Sequence, residues 1–475
     1  MRSLLIVTVF ISCLIVETVA TTLHVGIGQT YPDVSIASRS AMPGDTLLIH
    51  EGAYRGTFWI ENLNGTDSAW IVIRGVNREA VRFEGGAESL HLSDCSFIRI
   101  ENFTVTLQTG NGMNIDDAGT IETPTHHISL REISFLSMNA TDNNDMLKLS
   151  GLDNFSIESC AFYEGSTGGS GIDMVGCHQG RIVQCQFQRM GSNAIQAKGG
   201  TQFLKILQNR FIDAGQRAIN LGGSTGLQFF RPIDATFEAA DIRVYANVFI
   251  RSVTPIAYVG SVRIDVANNT IIDPERWVFR ILQETVDVSR FELCGNNIFR
   301  NNLIVMKSTL STHVNIGANT APETFLMTSN LWYMTDNIGR SRPTVPALTE
   351  SRGIYGLPPL LVSASDFHLS SGSPAIGAGI FVDSLTSDYD GIAYTNPPSI
   401  GAFEWQNTSA VWDHSAPSQI ALQRIADGWI VTVPPTRQSA NISVYDLRGS
   451  LVRTLDLPPG THDVKTSPYH FVIGN

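Results

Sequence analysis

The sequence predicts an all-β protein, a parallel β-helix with a short capping helix at its start and a small β-sandwich at its end. Three observations predict it. First, short runs repeat between residues 146 and 223: Met146-Leu147-Lys148-Leu149, Gly171-Ile172-Asp173-Met174, Ala194-Ile195-Gln196-Ala197 and Ala218-Ile219-Asn220-Leu221. The steps from Leu147 to Ile172, Ile195 and Ile219 are 25, 23 and 24 residues. A βαβ unit needs about 30 residues or more, whereas one coil of a stacked β-solenoid fits this length. Second, a column of Asn followed by a core residue recurs at Asn209, Asn247, Asn269 and Asn297. Asn tolerates turn backbone angles and can stack its amide from coil to coil. Third, charged residues make up 16% of the chain and Gly is frequent, at 41 residues, a composition suited to strands and turns rather than helices.

Within each run the period-two alternation of a strand assigns the faces. Leu147/Leu149, Ile172/Met174, Ile195/Ala197 and Ile219/Leu221 point inward. Lys148, Asp173, Gln196 and Asn220 form one outward column, and Ser150, Val175, Lys198 and Gly222 the next.

Taken in order, residues 1–20 read as a secretory leader, with Arg2, an apolar run from Leu4 to Val16 and Thr18-Val19-Ala20 before the cut. That run is too short for a membrane span, and no other candidate follows. Residues 21–408 are expected to form the β-helix. Residues 31–41 are mildly amphipathic and suit the capping helix that a first coil without a neighbour needs. Strands then begin at Thr46-Leu47-Leu48-Ile49. The 38-residue step from Asn209 to Asn247 implies an inserted loop over residues 222–240, beside the outward columns. Ile256-Ala257-Tyr258-Val259, aligned from Ala218, places Tyr258 beside Asn220, and Phe279-Arg280-Ile281 brings Arg280 into line. Residues 409–475 form the small C-terminal β unit after a polar linker. Removal of the leader takes Cys13 away and leaves five cysteines, read as buried core thiols.

The net charge of −12 and the lack of any basic run exclude nucleic acid as the expected partner. An extracellular polysaccharide is the expected one, taken by a monomer. Lys148, Lys198, Arg217, Arg231 and Arg280 mix with the amides of Gln196 and Asn220 and the rings of Phe229 and Phe230. Cations can pair with uronate carboxylates, Arg bidentately, and flat rings suit sugars. In a β-elimination, Lys198 is the candidate base, Arg217 the group that holds the carboxylate and Tyr258 the acid for the leaving oxygen. Lys148, Asp173, Gln196, Asn220, Phe229, Phe230, Arg231 and Arg280 are the substrate-binding candidates. No metal residue is assigned; Ca²⁺ remains an open cofactor through Asp142, Asp145 and Asp173. The alternatives are a glycan-binding or structural cell-surface protein, in which Asp173 merely pairs with Lys148 and Lys198, and a glycoside hydrolase, hinted at by Asp116-Asp117 and Asp173.

Gly44-Asp45-Thr46-Leu47 and Glu51-Gly52-Ala53-Tyr54, followed by an Ile-rich strand and Gly75, resemble the opening of the pectate-lyase-like superfamily. The resemblance implies a right-handed β-helix. Ala197-Lys198-Gly199 followed by Arg217 resembles the Lys-then-Arg order of the chondroitinase B and alginate lyase group, which implies polysaccharide lyase chemistry; Asn193 and Gln196 stand where that group carries acidic calcium ligands. Residues 366–404 resemble the closing tail of secreted bacterial β-helix proteins. Val444-Tyr445-Asp446-Leu447-Arg448-Gly449 is similar to the hairpin of type IX sorting domains, which implies sorting or anchoring.

Overall fold

The computed structural model describes residues 20–345 and 347–406, and, beyond them, the backbone of six strands. The expected leader lies outside the described residues, apart from Ala20. The described residues from 21 to 355 wind into a right-handed parallel β-helix, and residues 356–406, which hold no strand, pack against the outside of the stack. Its coils contribute to three parallel sheets of 13, 12 and 10 strands. Apolar side chains from all three sheets point into one continuous core.

The capping helix α1 is shorter than the amphipathic stretch, only Val34–Ser38. Asp33 sets its start, because its Oδ1 accepts from the N–H of Ile36 at 3.0 Å. Val34 and Ala37 enter the core, covering apolar surface that the first coil would otherwise expose.

Two ladders run through the stack. Phe135, Phe162, Phe187, Phe211 and Phe249 lie face to face inside it, with centroids 4.7–5.0 Å apart and planes within 7°. At a corner, Asn209, Asn247, Asn269, Asn302 and Asn330 are all fully buried. Each Nδ2 donates to the Oδ1 of the next, at 2.9–3.0 Å. Asn330 passes the series to the Glu350 carboxylate at 2.8 Å. The fourth member is therefore Asn302. Asn297 occupies a different corner, where its Oδ1 accepts from the N–H of Ile264. Both Asn positions precede an apolar strand, so the sequence pattern alone did not separate them.

The 10-stranded sheet carries the outward columns. Its strands are β1 (Phe58–Glu61), β2 (Leu90–Ser93), β3 (Met113–Asp116), β4 (Leu147–Ser150), β5 (Ser170–Val175), β6 (Asn193–Lys198), β7 (Arg217–Gly222), β8 (Ile256–Val259), β9 (Phe279–Leu282) and β10 (Val314–Ile316), stacked in that order. Leu147, Ile172, Ile195 and Ile219 are in register, as the repeat requires. The five cysteines from Cys95 onward are buried, unpaired thiols. Beyond residue 406 the backbone forms two three-stranded antiparallel sheets, including a strand at Gly460–Lys465 that the sequence pattern did not mark.

Candidate functional site

The outward column of this sheet reads Trp59, His91, Asn114, Lys148, Asp173, Gln196, Asn220, Ala257, Arg280 and Asn315 from β1 to β10. Adjacent positions are ~4.8 Å apart, so the column is a continuous strip along the stack. Its chemistry changes along its length.

In the centre, two lysines share one carboxylate. Asp173 is 2% exposed. Lys148 Nζ is hydrogen-bonded to its Oδ2, while Lys198 Nζ lies 3.3 Å from its Oδ1 but outside hydrogen-bond geometry. Asp145, also buried, sits 3.6 Å from Lys148 and accepts from the N–H of Ser170 at 2.8 Å. Burial, reinforced by the Asp173 charge, pushes the Asp145 carboxyl up to about 6. Burial opposes the Lys148 charge, and the two carboxylates more than offset it, so its pKa stands above the ordinary lysine value. Two cations and two carboxylates thus balance.

Beyond β6 the balance tips. Arg217 donates from Nη1 to Asn220 Oδ1 at 3.1 Å and from Nη2 to Glu284 Oε1 at 2.9 Å. Arg280 donates to Asn315 Oδ1 at 2.9 Å. The guanidiniums of Arg276 and Arg280 both stack on the Trp277 ring, 4.1 and 4.4 Å from its centroid, a favourable cation–π geometry. Burial and the charges of Arg217 and Arg276 lower the Arg280 pKa, against only Glu284 acting the other way. Arg217 and Arg276 therefore both act on Arg280 with Glu284 as the one opposing charge, and Arg276 is exposed. A group with excess positive charge and fixed donor forks is built to take an anion.

The inserted loop is fastened beside this strip. Glu238 is fully buried and accepts from the N–H of Gly199, the N–H and hydroxyl of Thr225 and the hydroxyl of Thr285. Arg231 forms a two-pronged pair with Asp117, at 2.7 and 2.9 Å.

These placements correct several expectations. Tyr258 is a core residue. It pairs with Leu221 across β7 and β8, while Ala257 faces outward beside Asn220. The ring is fully buried, with its hydroxyl towards the Ile298 carbonyl, so it cannot protonate a leaving group. Phe230 is fully buried against Phe291; only Phe229, 54% exposed, offers a face. Arg231 is spent on Asp117. Asn220, 2% exposed, orients Arg217 rather than reaching outward. Asp173 is buried beneath the lysines. Lys148, Lys198, Gln196, Arg217 and Arg280 are brought together on the partly exposed strip. Gln196 is held by Asn193, which donates to its Oε1 at 2.9 Å.

Trp59, His91, Trp277 and Glu284 were not found from the sequence. The steps from Trp59 to His91 and from Asn114 to Lys148 are 32 and 34 residues, so the regular repeat does not align them. Among the described residues no group of three or more His, Cys, Asp or Glu side chains is arranged to hold a metal ion, and no helix is long and apolar enough to cross a membrane.

No family model and no curated protein sequence matches the chain. Solved structures do resemble it. Pectate lyase Pel9A superposes with a TM-score of 0.53 at 16% identity, covering 82% of this chain and 97% of that one. An alginate lyase from Paenibacillus sp. gives a TM-score of 0.43 at 15% identity, covering 63% of this chain and 96% of its own. A GH136 lacto-N-biosidase from Eubacterium ramulus gives 0.42 at 13% identity, covering 66% and 64%. At these identities the likeness shows the fold alone, and that fold is the right-handed parallel β-helix.

Proposed function

We propose that this is a secreted, carbohydrate-active protein that takes a uronate-bearing polysaccharide along the outward strip and cleaves it by β-elimination. The observation that carries the reading is the gathering of Arg217 and Arg276 about Arg280, with Arg276 and Arg280 stacked on Trp277 and Glu284 bonded to Arg217, on a chain of net charge −12. Local positive charge on an acidic protein selects for an anionic ligand.

In this reading the substrate carboxylate takes the place of Glu284 on Arg217 and is also held by Arg280. Neutralising that carboxylate acidifies the C5 proton. Lys198, one coil away from Arg217, leaves Asp173, gives its own proton to solvent and takes the C5 proton as the neutral amine. The C5–H bond breaks, the C4=C5 bond forms and the C4–O bond to the leaving sugar breaks. With Tyr258 in the core, the Lys198 ammonium is the group that returns a proton to the leaving oxygen. Asp173 recaptures the side chain between turnovers.

A second reading, binding without cleavage, is supported by one contact: Lys198 stands paired with Asp173, whereas a base needs a free lone pair. A glycoside hydrolase has less support, because Asp173 is only 2% exposed beneath Lys148, Asp117 is paired with Arg231 and Asp116 with His91.

The test is incubation of the full chain with a panel of uronate polysaccharides, read by the ultraviolet absorbance of the unsaturated product. Absorbance that rises with one substrate and disappears in both Lys198→Ala and Arg217→Ala supports the lyase with these roles. A rise that survives Lys198→Ala removes that residue as base. Retention on a polysaccharide gel without any rise replaces the lyase with the binding reading.

A further inference from the structure

The strip ends at Trp59, because β1 is the terminal strand of its sheet. Trp59 is 51% exposed, although a ring of this size normally gains stability by burial. One face is covered: His91 stacks on it with centroids 3.9 Å apart and planes 21° from parallel. The rest of the ring is open.

The support beneath Trp59 is rigid. His91 Nδ1 lies 2.8 Å from Glu88 Oε2 and Nε2 lies 2.8 Å from Asp116 Oδ2. Ser93 donates to Asp116 Oδ1 at 2.7 Å, and Asn114 donates to its Oδ2 at 3.1 Å. The imidazole cannot turn without breaking this set, and a cationic imidazole under an indole is a favourable stack. An aromatic ring held in advance in one orientation binds a partner at low ordering cost.

The surroundings also state what kind of sugar would fit. Glu88 and Asp116 flank the imidazole, and Glu61 is exposed on the same strand as Trp59, so this end is rich in carboxylates. The other end, at Arg217, Arg276 and Arg280, is rich in cations. Trp59 and Arg280 are eight strand steps apart, roughly 38 Å at ~4.8 Å per step. A uronate would meet like charge at Trp59 and opposite charge at Arg280.

We propose that Trp59 is the stacking platform for a neutral hexose at one end of the bound glycan, so that the preferred ligand carries both neutral and uronate units. His91, Glu88 and Asp116 are positioning residues that fix the ring. This rests on the function proposed above, since it takes the same strip as the glycan path.

Calorimetric titration of the full chain tests it with two ligands. One is a short oligosaccharide of uronate alone; the other is a mixed oligosaccharide, long enough to span the strip, that carries neutral hexoses at its ends. The wild type should bind the second about tenfold more tightly. Trp59→Ala should erase that difference and leave the short ligand's affinity unchanged, and Trp59→Phe, which keeps a smaller ring, should retain part of it. Thermal unfolding of each variant checks the fold, and the Phe variant decides the matter if the Ala variant is unstable. A difference that persists in a folded variant lacking the indole, or no difference in the wild type, overturns the platform and leaves the uronate reading standing. Binding of neither ligand by the wild type overturns both.

Discussion

The lysine centre and the arginine end of the strip lie on neighbouring coils and use the same charges differently. Lys148 and Lys198 are answered by Asp173 and Asp145, both buried. Arg217 and Arg280 both feel Glu284, while Arg280 is repelled by Arg217 and, across Trp277, by Arg276. A self-neutralised cluster holds the sheet together and is costly to break. A cluster with surplus charge gains little from its own neighbours and most from something that arrives. The difference teaches where to look for a ligand on a repetitive surface: at the place where pairing is incomplete.

The largest expected effect breaks the balanced side. Asp173→Ala leaves two lysines over a sheet with Asp145 as the one remaining counter-charge. Removing one partner of a buried pair costs about 3–5 kcal/mol, and the lower figure applies because the Lys148 side chain keeps 24% exposure. Denaturant unfolding at neutral pH measures it. A loss under about 1 kcal/mol, the value of an exposed pair, would erase the distinction between the two ends.

The surplus side should respond in binding instead. Arg280→Gln should weaken a uronate oligosaccharide by about 10- to 100-fold, the range of one lost charge-assisted contact, with unfolding nearly unchanged. Glu284→Gln should act in the opposite direction, tightening the same ligand severalfold, because the internal competitor for Arg217 is neutralised. If both substitutions shift affinity the same way, Glu284 is a ligand-binding group rather than a competitor.

The smallest effect sharpens the balanced side. Asp145 has its carboxyl raised to about 6 by burial and by Asp173, from an ordinary value near 3.9. Between these values the folded chain binds more protons than the unfolded one, so this group makes stability fall as pH rises from about 4 to 6 and level off above. Asp145→Asn should flatten that part of the pH–stability curve relative to the wild type. An unchanged slope in paired denaturant titrations would mean that Asp145 is not perturbed in this way.

How far these features were legible from the sequence follows from alternation and spacing. Leu147, Ile172, Ile195 and Ile219 share one register because apolar and polar residues alternate around them and the coils are of nearly equal length. That regularity gave the fold, the outward column and the facing of Lys148, Asp173, Lys198 and Arg280. The alternation disappears in Ile256-Ala257-Tyr258-Val259, where all four residues are buried. Nothing in that run marks a face, and a one-residue shift exchanges core for surface, which is how Tyr258 was misplaced. Phe229 and Phe230 sit in an irregular loop, where neighbouring rings have no periodic rule to tell the exposed from the buried. Charge partners were hidden for another reason. Arg231 with Asp117 and Arg217 with Glu284 are separated by 114 and 67 residues, and only the winding of the chain brings them together.

The asparagine ladder has a direction, and this makes the protein modular. Each amide gives one hydrogen to the side chain of the next coil and one to a carbonyl of the coil before, and its oxygen receives from the amide before, until Glu350 accepts without passing the bond on. Any coil that brings its own Asn can be spliced between Asn209 and Asn330, and any coil removed whole lets its two neighbours rejoin. Length along the stack is therefore a copy number, open to duplication and excision, while the carboxylate acts as a terminator that must stay last.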